Sequence, residues 1–212
     1  IGSEKTSTCA QEWYGVIVFS GVATRNGFFE LYLIRPDGTK LRRITRNPGW
    51  ERFPKWSPDG RWLAYISNRS KPGNEGAYEI YVMHPNGSSF RRVTRDRWID
   101  DQLGWSPDGR RFAFVSSRAS GRFGISVINL NGSGYRRLTR DAGDSLPAWS
   151  PDGRSIAFER LTRITDEFVT NAISLMNPDG SNPSRLTEPP QFLGFPGARD
   201  GMPDWSPDGR LI

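Results

Sequence analysis

The stretch Trp56-Ser57-Pro58-Asp59-Gly60-Arg61 decides the fold, because the same six residue types recur three more times along the chain. The four copies begin at Trp56, Trp105, Trp149 and Trp205, at intervals of 49, 44 and 56 residues. Internal repeats with periods of roughly 20 to 50 residues are typical of proteins built from similar structural units side by side. The sequence therefore predicts four related units.

Two further motifs run in phase with the first. Pro36-Asp37-Gly38 is a turn-forming tripeptide, and Arg42–Thr45 follows it with the pattern Arg-Arg-hydrophobic-Thr. Related tripeptides begin at Pro85, Leu130 and Pro178, and the threonine recurs at Thr94, Thr139 and Thr187. Proline presets the first corner of such turns and glycine accepts the positive φ that closes them. Each motif is therefore expected to reverse the chain.

Short apolar segments connect these turns. Trp62–Ile66 and Glu79–Met83 have the length and composition of strands, and no segment carries an apolar stripe with the 3.6-residue period of a helix. Four short strands per unit, joined by hairpins, describe the blade of a β-propeller. The predicted fold class is therefore all-β, a propeller of four-stranded antiparallel blades.

Together the three motifs resemble the TolB-type, WD-like β-propeller repeat. The resemblance covers residues 15–212 and leaves residues 1–14 as an N-terminal extension. It implies the fold strongly but the activity only loosely, because members of this repeat class include periplasmic TolB, propeller domains of serine peptidases, oligogalacturonate lyases and sensor domains of membrane regulators.

The order of the predicted strands raises the question of ring closure. The chain starts near Val16 with the second strand of a unit and ends at Pro203–Ser206 with a first strand, which gives sixteen strands. We expect four blades, with the C-terminal strand completing the N-terminal blade, because closure protects edge strands from association. The alternative is a fragment of a larger propeller, since TolB-like rings usually have more blades.

The charge balance does not indicate a nucleic-acid-binding protein. The 29 Lys and Arg residues outnumber the 23 Asp and Glu residues, which gives a net charge of +6. The paired arginines Arg42-Arg43, Arg91-Arg92 and Arg136-Arg137 fall on the outer strand of separate units. Charged residues on an outer strand discourage its pairing with a strand of another molecule. Nucleic acid requires a continuous basic surface, which arginine pairs on separate units do not provide.

Several other classes of protein are also excluded. Apolar runs such as Val16–Phe19 are too short for a membrane helix, although association with a membrane-bound complex stays open. Cys9 and His84 are the only cysteine and histidine, so a disulfide framework and a multi-histidine metal centre are not expected. His84 lies in a predicted turn, and no Gly-x-Ser-x-Gly motif is present. We therefore expect no catalytic activity.

An acidic residue stands five positions before each marker tryptophan, at Glu51, Asp100, Asp144 and Asp200. These positions fall in the loops that lead into the first strand of each unit, and such loops gather around one mouth of a propeller channel. Two explanations are open. The carboxylates either attract a cation such as Ca²⁺ or a basic peptide segment, or they fix the loops through hydrogen bonds to the backbone.

The same loops carry aromatic residues, among them Trp50, Trp98 and Phe195. Exposed aromatic rings beside charged groups are typical of protein-binding surfaces. The alternative is that these rings plug the channel or cover neighbouring blades.

The function expected from the sequence is a non-catalytic scaffold that binds another protein through the loops at one mouth of its channel, in the periplasm or outside the cell. The alternative is a ligand-sensing or gating propeller domain of a larger enzyme or membrane regulator.

Overall fold

The computed structural model describes residues 15–22, 27–74, 76–118, 122–140, 143–163, 169–187 and 201–212, and for residues 162, 163 and 169 the backbone only. These ranges contain fifteen strands. Within them there is no helix with the length and apolar character needed to cross a bilayer.

The strands form four antiparallel sheets in chain order, which we call blades 1 to 4. Blade 1 contains β1 (Ile17–Val22), β2 (Phe29–Ile34) and β3 (Arg42–Arg43). Blade 2 contains β4 (Glu51–Trp56), β5 (Leu63–Ser67), β6 (Glu79–Met83) and β7 (Arg91–Arg92). Blade 3 contains β8 (Asp100–Trp105), β9 (Arg111–Ser116), β10 (Gly124–Asn129) and β11 (Arg136–Arg137). Blade 4 contains β12 (Ser145–Trp149), β13 (Ile156–Arg163), β14 (Val169–Met176) and β15 (Ser184–Arg185). The all-β prediction and the blade pattern are confirmed.

The repeated Ser-Pro-Asp-Gly segment forms the predicted turn through its own side chains. In blade 2 the Ser57 hydroxyl donates to the Asp59 carboxylate over 2.6 Å and accepts the backbone N–H of Trp62 over 2.9 Å. Gly60 occupies a positive φ of 67°, a conformation that side chains other than glycine disfavour. The same hydroxyl-to-carboxylate bond closes the other three copies, beginning at Ser106, Ser150 and Ser206. The turn is therefore encoded locally.

The hydrophobic core lies between adjacent blades. The middle strands β5 and β6 are buried along their whole length because other blades cover both faces of blade 2. Leu63 and Tyr65 pack against Leu31 of blade 1, whereas Ile80 belongs to the cluster that includes Phe112 of blade 3. Each blade is thus stabilised mainly by its neighbours.

The paired arginines connect the blades as well as charging their outer strands. Arg42 donates to the carbonyl oxygen of Pro85 in the next blade over 2.9 Å. The equivalent bonds run from Arg91 to Leu130 over 3.0 Å and from Arg136 to Pro178 over 3.2 Å. The Arg-Arg motif therefore joins each blade to the turn of the following one.

The expected pairing of residues 203–206 with blade 1 is not present. Blade 1 has three strands, and residues 201–212 belong to no sheet. Instead the indole N–H of Trp205 donates to the carbonyl oxygen of Ala148 in blade 4 over 3.1 Å, as Trp105 does to Lys55 of blade 2 over 3.3 Å. Trp205 thus makes the same hydrogen bond to the preceding blade that Trp105 makes from the inner strand of blade 3. Among the described strands, none of blade 1 contacts one of blade 4.

Candidate functional site

The first strands of blades 2, 3 and 4 contain an irregularity at the same position. The first strands β4, β8 and β12 lie side by side, as the strands that line a propeller channel do. The register of β4 shifts between Arg52 and Lys55, and β8 and β12 shift at the equivalent points. The residue at each shift has a positive φ: Phe53 (51°), Gln102 (52°), Leu146 (49°) and, in the equivalent place of the last segment, Met202 (57°). We call these four residues the bulge row.

The bulge row stores backbone strain. A positive φ is uncommon for residues other than glycine, asparagine and aspartate, and costs on the order of 1–3 kcal/mol. In each of the four repeated units a residue with a large side chain adopts this conformation. Because strained conformations of this kind cluster at functional sites, the bulge row is a candidate binding element.

The side chains of the bulge row form a mixed apolar and polar surface. Phe53 is 54% exposed and Met202 is 79% exposed, although both are large and apolar. Gln102 and Leu146 are half-buried. The Oε1 atom of Gln102 accepts a hydrogen bond from the backbone N–H of Leu146 over 2.9 Å. The bulge row therefore exposes apolar side chains beside the inner strands. The bond between Gln102 and Leu146 also fixes the inner strands of blades 3 and 4 relative to each other.

A cleft between blades 3 and 4 adjoins the bulge row at Gln102. Its volume is about 310 Å³. Apolar side chains on its wall include Ile99, Phe123 and Leu161, whereas Asp101 and Gln102 supply polar groups. Burial raises the pKa of Asp101, while the Arg52 guanidinium opposes that rise. Such a cleft can hold an apolar side chain and hydrogen-bond a polar group beside it.

Glu51 and Asp144 are buried and held by arginines of their own blades. The Glu51 carboxylate accepts hydrogen bonds from Arg69 over 3.0 Å, and also from Asn47 and Ser67. Asp144 accepts two bonds of 3.0 Å from Arg160. Within the described residues the structure does not bring Glu51, Asp100 and Asp144 together into one ring of ligands. The donors in these bonds are side chains, whereas the loop-fixing explanation expected backbone N–H groups.

Asp100 has a different environment. Its Oδ1 atom accepts a hydrogen bond from the Ser116 hydroxyl over 2.6 Å, whereas its buried Oδ2 atom has no hydrogen-bond partner. Burial raises the pKa of Asp100 to about 7. Carboxylate oxygens of Glu79 and Asp96 lie within 4.8 Å of it and of each other. Glu79 and Asp96 are themselves paired with Arg92 and Arg118, so a proton on Asp100 is enough to offset the negative charge that remains.

Trp50 and Trp98 are both half-buried. The Trp50 ring meets the edge of Phe29 in blade 1 and lies 4.2 Å from the Arg52 guanidinium carbon. The Arg97 guanidinium carbon lies 5.2 Å from the Trp98 ring. Trp50 thus covers a neighbouring blade, which was the alternative explanation for these aromatics. Phe195 and Asp200 lie outside the described residues.

The histidine lies where the turn was predicted. His84 follows β6, its ring stacks on Trp62 with 4.1 Å between ring centroids, and its Nδ1 atom lies 2.9 Å from the carbonyl oxygen of Arg61. These contacts join two turns of blade 2.

The bulge row was not expected from the sequence. Each of its four members lies three residues before a marker tryptophan. This constant spacing is the sequence signal from which the row could have been predicted. Their side chains differ in chemistry, so they form no recognisable motif.

Comparison with known proteins agrees with this architecture. The TolB beta propeller domain family matches residues 71–212, more than half of the chain. The Tol-Pal system protein TolB of Desulfosudis oleivorans is 46% identical over 48 residues, which is 23% of this chain and 11% of that protein. A second curated relative, the TolB homolog of Chlorobium luteolum, is matched over 9% of its length. These sequence matches thus span about a tenth of each relative.

Solved structures extend the similarity to most of the chain. The structure of putative TolB from Agrobacterium tumefaciens has a TM-score of 0.70 and 29% identity, covering 92% of this chain and 68% of that chain. The β-propeller domain of the trilobed protease from Pyrococcus furiosus has a TM-score of 0.60 at 17% identity, covering 82% of this chain and 54% of that chain, and shares the fold alone. The chain belongs to the TolB β-propeller domain family.

Proposed function

We propose that this chain is a non-catalytic propeller that binds another protein through its inner strands, by means of the bulge row and the adjoining cleft. The observation that carries the proposal is the repeated positive φ at Phe53, Gln102, Leu146 and Met202. Strain maintained in four units, with large apolar groups left exposed at two of them, is best explained by a surface that contacts a partner.

The chemistry of this surface suits a loop or extended segment of a protein. Exposed aromatic and methionine side chains are enriched at the centres of protein interfaces. The cleft of about 310 Å³ is near the lower limit for small-molecule pockets, roughly 300 Å³, and accommodates one side chain of a partner. Gln102 and Asp101 offer polar groups that orient a bound segment.

The similarity to the Tol-Pal system protein TolB supports the choice of partner. We propose that the chain acts outside the cytoplasm, in the periplasm, and associates with another component of a Tol-Pal system.

The alternative is a ligand-sensing or gating propeller domain of a larger enzyme or membrane regulator. The fold that the chain shares with the propeller domain of the trilobed protease is compatible with this role. This alternative predicts that a small molecule binds in the cleft and that no protein partner binds the chain.

Biolayer interferometry with the Pal component of the source organism tests the proposal. Phe53→Asn removes the exposed ring but keeps a residue that tolerates a positive φ. We expect at least tenfold weaker binding, as for an aromatic residue near the centre of an interface. Leu41→Asn removes an apolar side chain that is 61% exposed next to an outer strand, and should leave binding unchanged. Absence of binding by the unmodified chain, or equal losses in both variants, would contradict the proposal.

A further inference from the structure

The cleft between blades 3 and 4 is acidic, although the chain as a whole is basic. The net charge of the chain is +6, yet the described residues that line the cleft include Asp101 and Asp144 and no lysine or arginine. On the side of blade 3 its apolar wall consists of Ile99, Val115 and Phe123. A cavity of this composition favours a group that combines a positive charge with an apolar stem.

The side chain of Asp101 faces the cleft. Asp101 is the register partner of Val115 in the pairing of β8 with β9, and such partners place their side chains on the same face of a sheet. Val115 belongs to the hydrophobic cluster that joins blade 3 to Ile156 of blade 4. Asp101 therefore lies on the face of blade 3 that is turned toward blade 4.

The charge of Asp101 is not paired within the chain. Asp144 is held by Arg160 over 3.0 Å, whereas Asp101 forms no ion pair with any residue that the structure describes. Its Oδ1 atom accepts the backbone N–H of Gln102 over 2.7 Å. Burial raises the pKa of Asp101, and the charge of Arg52 opposes that rise without a hydrogen bond between the two groups. A cation in the cleft would find one carboxylate available.

Blade 2 shows a guanidinium group in the corresponding surroundings. Arg52 is the counterpart of Asp101, because each lies four residues before a marker tryptophan. The Arg52 guanidinium carbon lies 4.2 Å from the ring centre of Trp50 and 5.8 Å from that of Tyr78. Trp50 directly precedes the first strand of its blade, and Tyr78 directly precedes the third. The residues at these two positions in blade 3 are Ile99 and Phe123.

Smaller side chains open the cleft between blades 3 and 4. Trp50, Ile99 and Tyr78 all belong to or pack against the hydrophobic cluster between blades 2 and 3. One blade further along the chain, Ile99 takes the place of Trp50, and Gly143 takes the place of Ile99. The result is a cleft of about 310 Å³ that is lined by Asp101, at the position where blade 2 has an arginine.

We propose that the cleft binds an arginine side chain of the partner protein, with the guanidinium group paired to Asp101 and the stem against Ile99 and Phe123. This inference rests on the proposed function, because it names the group of the partner that the cleft recognises. A planar guanidinium group forms two parallel hydrogen bonds with a carboxylate, stacks on aromatic rings and is less strongly hydrated than an ammonium group. The contacts of Arg52 in blade 2 are the precedent within this chain.

An amide-detected NMR titration with Nα-acetyl-L-arginine amide tests this inference without the partner protein. We expect saturable shifts of the Gln102 and Phe123 amide signals, and at least fivefold weaker binding of Nα-acetyl-L-citrulline amide, which has nearly the same shape without the charge. Asp101→Asn keeps an acceptor for the N–H of Gln102 and should bind arginine amide at least fivefold more weakly. Asp179→Asn removes one charge from an exposed turn in which blades 2 and 3 have asparagine, and should change the affinity less than twofold.

Four results would overturn the inference. The first is the absence of saturable shifts in the unmodified chain, and the second is equal binding of the arginine and citrulline amides. The third is an equal loss of affinity in Asp101→Asn and Asp179→Asn, which would indicate general charge attraction. The fourth is tighter binding of Nα-acetyl-L-lysine amide than of arginine amide, which would contradict recognition of a guanidinium group.

Biolayer interferometry with the Pal component separates this inference from the proposed function. We expect Asp101→Asn to weaken that binding at least fivefold. Saturable binding of arginine amide by a chain that does not bind the Pal component would support the arginine site and contradict the proposed function. Unchanged binding of the Pal component by Asp101→Asn, together with the tenfold loss in Phe53→Asn, would contradict the arginine site and support the proposed function.

Discussion

The Gln102 side chain accepts a hydrogen bond from the backbone N–H of Leu146 over 2.9 Å, and so connects the bulges of two neighbouring blades. Both residues have a positive φ and belong to the bulge row, and Gln102 also lines the cleft. The side chain of Gln102 therefore holds the strained backbone of Leu146 in the following blade.

We expect Gln102→Ala to destabilise the folded protein. The variant leaves the partly buried N–H of Leu146 without an acceptor, which should lower the free energy of unfolding by about 1–2 kcal/mol. Urea denaturation followed by tryptophan fluorescence measures this. Gln102→Glu keeps an acceptor at the same distance and should retain most of the stability at neutral pH. An equal loss in both variants would show that the hydrogen bond is not the cause.

We expect Phe53→Gly to stabilise the chain. Glycine adopts a positive φ without steric cost, and Phe53 is too exposed to lose much burial, so the gain should be about 0.5–1 kcal/mol. Lys55→Gly, two residues along the same strand and also exposed, provides the control. There the glycine should destabilise by about 0.5–1 kcal/mol. Loss of stability in both variants would contradict the strain at Phe53.

The raised pKa of Asp100 predicts a specific pH dependence. In the unfolded chain the pKa is ordinary, near 4, whereas burial raises it to about 7 in the folded protein. The contribution of this carboxyl to stability is therefore full below about pH 4 and is lost as the pH rises to about 7. Asp100→Asn, which does not ionise, should gain stability relative to the unmodified chain between pH 4 and pH 8, by up to about 4 kcal/mol.

Chemical denaturation at several pH values tests this prediction, with Asp152→Asn as the control. The Ser150 hydroxyl and the backbone N–H of Arg154 lower the pKa of Asp152, so its contribution is present above about pH 4 and is lost in acid. Asp152→Asn should therefore lose stability at neutral pH relative to the unmodified chain. A pH-independent difference for Asp100→Asn would show that Asp100 ionises normally.

The paired carboxylates also predict the response to Ca²⁺. Arg69 and Arg160 already neutralise Glu51 and Asp144, so a divalent ion would have to displace a bound guanidinium group at either residue. We expect isothermal titration with Ca²⁺ to give no saturable heat at neutral pH, either for the unmodified chain or for the Asp100→Asn, Asp144→Asn double variant. Heat that disappears in the double variant would instead establish a cation site.

Local features of this fold could be predicted from the sequence. The Ser57-Pro58-Asp59-Gly60 turn forms through contacts within six residues, so its conformation is encoded where it occurs. The third strand of blade 2 has the predicted bounds, Glu79–Met83, because its composition suits a strand buried on both faces.

Features that depend on contacts between distant residues could not be predicted. The positive φ of Phe53 arises where β4 shifts its register against β5, and an isolated phenylalanine does not favour that conformation. The arginines that hold Glu51 and Asp144 come from the second strand of the blade or from just beyond it, 18 and 16 residues away along the chain. The contact of Trp205 with Ala148, found in place of pairing with blade 1, likewise depends on packing between units.

A photo-crosslinking amino acid placed at position 53 measures most directly whether the inner strands contact a protein partner. With p-benzoylphenylalanine at position 53 and the chain expressed in its own organism, we predict a discrete crosslinked product that contains another component of the Tol-Pal system. The same group at position 41, next to an outer strand, should give no such product. No product at position 53, or the same product at both positions, would contradict the account.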